Sequence, residues 1–150
     1  GEEPKSFVGR GWTIAWIPGL VVSEMSGSLH LPPSEREEDI ESLKKTIIRA
    51  IEDQGEGKFV SLIDVHELSN IHPRWAPAML RMFLELPRTP YLRGLVTRGG
   101  ALGKAPLSVL KVATGGKLRS FRLDETDELV EWLASAGTCS QADVRRLWGR

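Results

Sequence analysis

The stretch Lys58 to Leu68, KFVSLIDVHEL, constrains the fold more than any other part of this chain. Residues 58–64 are short, β-prone and nearly continuous in apolar character, the pattern of a strand buried on both faces. The run ends in Asp64, crosses a polar loop and enters a segment where Trp75, Met79, Met82, Phe83 and Leu86 recur at helical spacing. Strand, loop and helix in that order belong to an α/β sheet, which places its working surface at the C-terminal ends of its strands.

The flanking sequence supplies the other elements. Trp12, Ile14 and Trp16 alternate with Thr13 and Ala15; Pro18-Gly19 is a turn dipeptide, and Leu20 to Met25 resumes the β pattern and runs on toward Leu31. Ser34-Glu35-Arg36-Glu37 has the form of a capping box and precedes Ile40, Leu43, Ile47, Ile48 and Ile51 at helical spacing. Tyr91 to Thr97 reads as a strand parallel to 58–64, followed by a helix over 106–114 and a last strand over 118–123. Asp124 is placed to cap a helix over 125–136. Ser140 and Asp143 then open a short helix with Val144, Leu147 and Trp148 on one side. So short a helix is marginal alone in water and has to bury that side, on its own domain or on a partner. Its own domain is favoured, with Trp148 as anchor. The expectation is α/β: a mixed four- or five-stranded sheet with flanking helices and an N-terminal β-hairpin. Residues 1–11 are a loose arm, 12–136 the domain and 137–150 the added helix.

At 150 residues and 41% hydrophobic, the chain suits one domain with a sizeable core. Twenty Lys and Arg balance twenty Asp and Glu, which argues against a dedicated nucleic-acid or membrane-surface binder. The balance hides an asymmetry: residues 74–122 carry ten basic side chains against Glu85 alone, with acidic flanks on either side. The single Cys139 excludes an intrachain disulfide framework and fits a reducing cytoplasm. No apolar run approaches the roughly 20 residues needed to span a bilayer, and no signal peptide is recognised.

The element order, the central FVSLIDVHELSNI and the closing FRLDETDELVEWL resemble the STAS domain over roughly 12–136, and within it the stand-alone bacterial proteins similar to anti-sigma-factor antagonists. That resemblance implies a mixed sheet and a bacterial regulatory module that binds a protein partner. In the phospho-switch antagonists a strand-end Asp leads to a serine-bearing turn at a helix N-terminus. With Asp64 laid on that Asp, His72-Pro73-Arg74-Trp75 occupies the turn and no hydroxyl remains; Ser69 lies three residues upstream. The switch is expected to be absent.

Three groups of residues carry possible chemistry. Asp64, His66, Ser69, Asn70, His72, Arg74 and Trp75 form a candidate partner-binding loop. Asp64 and His66 share a face of an extended segment, and with a converging His72 they would suit Zn²⁺ with an open position, or a general base; the plainer reading leaves His66 in a loop and His72 near a helix cap. Arg98, Gly99, Gly100 and Lys104 lack the spacing and hydroxyl of a Walker A loop but could cradle an anion through backbone N–H groups. The Trp75–Leu86 stripe is either core or the wall of an apolar ligand cavity. The leading expectation is a cytoplasmic, non-enzymatic interaction module without metal or cofactor, with a homodimer left open. The alternatives are a binder of a small anion or lipid-like ligand at the strand ends, and a metal-dependent enzyme using Asp64, His66 and His72. A cavity between sheet and helices would favour the ligand; a flat surface with exposed Trp or Met would favour the protein partner.

Overall fold

The computed structural model describes residues 3–98 and 117–150, and places six strands in one sheet whose spatial order follows the chain. Strands β1 (Lys5–Gly9), β2 (Trp12–Ile17) and β3 (Leu20–Ser28) form an antiparallel meander. Strands β4 (Val60–Ser69), β5 (Leu92–Thr97) and β6 (Leu118–Arg122) then add in parallel, first to β3 and then to one another. The sheet is therefore mixed, as expected, but larger by at least one strand.

The added strand is β1, drawn from the residues expected as a loose arm. Its side chains are largely exposed, so no apolar alternation marks it. It is held by its ladder to β2 and by Phe7, which stacks on Trp16 at 5.5 Å beneath the Arg49 guanidinium.

Among the described residues, four helices cover the two faces. α1 (Glu37–Glu52) and α2 (Trp75–Leu84) connect the parallel strands, and Leu43, Ile47, Ala50, Ile51 and Met82 pack with Trp12, Ile14, Trp16 and Phe59 on one side of the sheet. α3 (Thr126–Ala134) and α4 (Gln141–Trp148) cover the other, where Leu129, Val130, Leu133, Val144 and Trp148 meet Leu20, Val22, Val60, Leu62, Val96 and Phe121. Residues 60–64 are buried throughout, as a strand between two helical layers requires. The expected helix over 106–114 lies outside the described residues.

Two local expectations are corrected. The capping box at Ser34 does not form: Pro33–Glu35 makes a single 3₁₀ turn, and α1 begins at Glu37 with Arg36 in the cap position, its side chain paired with Asp39 at 2.6 Å. Pro33 sets the backbone for that tight turn and so displaces the helix start. The central strand does not stop at residue 64 but continues to Ser69. At the C-terminus the capping box does form, with Ser140 Oγ accepting from the Asp143 N–H at 3.0 Å and Asp143 accepting from the Ser140 N–H at 3.1 Å. α4 docks on its own domain, and Trp148 is buried. No helix among the described residues is long and apolar enough to cross a membrane.

Candidate functional site

β4 carries two different environments, one on each face of the sheet, because alternate residues of a strand point to opposite sides. Leu62 and Asp64 face α3 and α4, while Ile63 and Val65 face α2. The residues expected to form one loop are thereby divided.

On the first face Asp64 is buried at the end of the α4 helix. Its Oδ2 accepts from Trp148 Nε1 at 2.8 Å; its Oδ1 accepts from the His66 N–H at 3.0 Å and lies 2.5 Å from His66 Nδ1. The pairing of β3 with β4 shifts just here, so that Val65 and His66 together face Met25. A bulge re-aims side chains, and this one turns His66 back onto Asp64. Glu24, Glu67 and Arg150 complete a small polar cleft of about 100 Å³. Burial pushes the Glu24 carboxyl above the usual carboxylate range, the adjacent Asp64 adds to the rise, and Arg150 opposes it.

Glu24 holds its proton more tightly folded than unfolded, so folding is favoured below the unfolded value of 4.5, and that advantage is lost as pH rises through the elevated folded value. Glu24→Gln should therefore raise the melting temperature at neutral pH, with the gain shrinking to nothing as the pH falls below 4.5. Thermal melts of both proteins across that range are the check; a gain independent of pH would mean the carboxyl is not the cause.

His72 does not join Asp64 and His66. Its Nδ1 accepts from the Arg74 N–H at 3.1 Å, a capping role at the start of α2, and its side chain belongs to the other face. Among the described residues no three His, Cys, Asp or Glu side chains are grouped so as to hold a metal ion. Cys139 is half-buried, and burial pushes its thiol up, away from a reactive thiolate.

The second face holds a cavity of about 900 Å³ between the sheet, α2 and the start of α1. Ile63, Val65 and Leu95 form part of its floor, and Trp75, Met79 and Phe83 part of the helical wall. Trp75 is pinned by its Nε1 donating to the Leu31 carbonyl at 2.8 Å, which fixes the N-terminal end of α2. Ser69, Asn70 and His72 sit at the rim, and so does Arg98, whose Nε donates to the His66 carbonyl at 2.9 Å. Arg74 is exposed and is not among the lining residues. Gly99, Gly100 and Lys104, the rest of the expected anion loop, lie outside the described residues. An exposed Trp or Met patch would have favoured a protein partner; on α2 Trp75 and Met82 are both buried.

Sequence reasoning passed over Arg93 and Trp12. Arg93 lies on β5, on the same side as Leu95, and lines the cavity at only 5% exposure. The signal was a lone cation at an alternating position of YLRGLVT, which reads equally well as the solvent side of an edge strand. Only the burial of β5 between β4 and β6 distinguishes the two. Trp12 read as one side of a β alternation, and it also borders the cavity. No family model, curated protein or solved structure matches the chain.

Proposed function

We propose that this protein is a non-enzymatic binding module, STAS-like in its element order, that holds a small lipid-like ligand in the cavity between the sheet and α2. The observation that carries the reading is the cavity itself, about 900 Å³ with largely apolar walls. That volume lies within the roughly 300–1,000 Å³ range of small-molecule sites, which are apolar with a few placed polar groups. Water gains little in such a space, because its walls offer few hydrogen-bond partners; an apolar chain recovers the dispersion contacts that the lining side chains lack.

A protein partner docking on residues 64–75 is the weaker reading. Asp64 and Trp75 are buried and bonded within the fold, so neither meets an approaching surface without local unfolding.

The test is saturable binding of a neutral, environment-sensitive dye such as N-phenyl-naphthylamine. The intact chain should take up one dye per molecule. Leu95→Trp, which places an indole on the cavity floor, should weaken binding at least about tenfold, or ~1.4 kcal/mol, while the melting temperature holds or rises. Met79→Trp fills the same space from the helical wall and should act alike. Dye binding that never saturates, or that both fillings leave unchanged, would overturn the reading.

A further inference from the structure

Among the described residues, two buried side-chain nitrogen or oxygen atoms have no hydrogen-bond partner, Arg93 Nε and Trp12 Nε1. Both are donors, and both residues line the cavity between the sheet and α2. An orphaned buried donor is uncommon in a folded protein and costs free energy unless something accepts from it. A buried guanidinium without a counter-charge is costlier still.

Arg93 meets that description. Its guanidinium rests against the Phe83 ring, 4.7 Å from the centroid, and no carboxylate among the described residues pairs with it. The stretch 99–116 contains no Asp or Glu at all. The one acid among the described lining residues is engaged elsewhere: Asp39 is held by Arg36 at 2.6 Å. Burial alone lowers the Arg93 pKa to about 10, with no acidic neighbour to raise it again. The group stays cationic at neutral pH, in a space whose other walls are mostly apolar.

We propose that Arg93 is the head-group anchor of this cavity, and that its ligand is a single-chain amphiphile with an anionic oxygen head, a carboxylate or a phosphate, seated on the Arg93 guanidinium. The inference deepens the ligand-binding reading and rests on it. A planar guanidinium presents paired donors that match two oxygens of such a head. Phe83, Met79 and Leu95 then flank the start of the tail. Arg98, also on the lining, adds positive potential that draws an anion inward.

The experiment compares three probes by calorimetry on the intact chain: dodecanoate, dodecanol and acetate. Dodecanoate should bind about tenfold or more tighter than dodecanol, since a buried charge-assisted pair is at stake. Acetate alone should bind at least a hundredfold more weakly than dodecanoate, because the tail supplies most of the contact. Dodecyl phosphate against inorganic phosphate separates a lipid head from a free ion in the same way, and tight binding of inorganic phosphate alone would overturn the amphiphile assignment. Arg93→Met, similar in length and apolar, should abolish the preference for the carboxylate and keep dodecanol binding. It should also raise the melting temperature of the ligand-free protein, since it removes an unpaired buried charge; an arginine with a merely structural role would give a fall. Arg93→Lys should keep part of the preference, which guards against misfolding of the methionine variant. Equal affinity for dodecanoate and dodecanol would overturn this inference alone. Failure of both to bind would overturn the cavity reading with it.

Discussion

Trp148→Ala should lower the melting temperature by roughly 10 °C without changing the mass of the protein in solution. Truncating a buried Trp costs about 3–5 kcal/mol, and for a chain of this length each kcal/mol is worth roughly 2–4 °C. Trp148 is 3% exposed and packs with Val144, Leu129, Leu133 and Leu62 between α4, α3 and the sheet. Its indole N–H also donates to Asp64 Oδ2, deep in the fold, so truncation strands a buried carboxylate oxygen as well as opening a void. Trp148→Phe separates the two effects. It keeps most of the packing and removes the donor, which should cost about 1–3 kcal/mol. A melting temperature indifferent to Trp148→Ala would mean that α4 is not held against its own domain. A change of mass with stability intact would make α4 an association element instead.

The helix that carries Trp148 was legible in the sequence for a physical reason. A serine and an aspartate three apart, followed by apolar residues at i, i+3 and i+4, leave few other ways to satisfy the first N–H groups and bury that side at once. The parallel pair β4 and β5 was legible for a similar reason, since continuous apolar runs can only lie between two layers. β1 was not legible. KSFVG has no apolar alternation to read, and its place is set by the β2 edge it completes.

The candidate site was legible in parts and not in its assembly. Asp64 and His66 were singled out, but their partners Trp148 and Arg150 lie more than eighty positions away and could not be paired from spacing. Ser69 to Trp75 were read as a loop facing a partner. Ser69 to Pro73 and Trp75 line a cavity, because β4 continues five residues beyond Asp64 and delivers them to the opposite side of the sheet, while Arg74 stays exposed. The Trp75–Leu86 stripe allowed either a packed core or a ligand wall; Met82 took the first role and Trp75, Met79 and Phe83 line the second. Helical spacing says which side of a helix faces inward, and not how far it stands from what it faces.

Gly19→Ala should be among the most damaging single substitutions outside the central core. Gly19 turns β2 into β3 at a φ of +91°, where an L side chain is strained, and the Cβ of an alanine there would lie 2.1 Å from the Thr138 carbonyl oxygen. The left-handed backbone costs roughly 1–2 kcal/mol, and the clash is with backbone, which yields only if the segment between α3 and α4 moves. Three elements converge on this residue. Its N–H donates to the buried Gln54 Oε1 at 2.8 Å, and its carbonyl accepts from the Val60 N–H at 3.0 Å and the Thr138 hydroxyl at 2.8 Å. Gln54 in turn donates to the Ile17 carbonyl at 3.0 Å. Moving the chain aside therefore loosens the end of α1, the start of β4 and the approach to α4 together. A total loss of about 4 kcal/mol or more belongs to the rare severe class, whose causes include strain of this kind and broken buried networks. Gly27→Ala isolates the strain, for Gly27 has a φ of +93° with nothing within 4 Å of the new Cβ. That variant should lose only the left-handed penalty. Equal losses in the two variants, read by chemical denaturation, would show that Thr138 yields freely and that the turn at Gly19 is not the junction its hydrogen bonds describe.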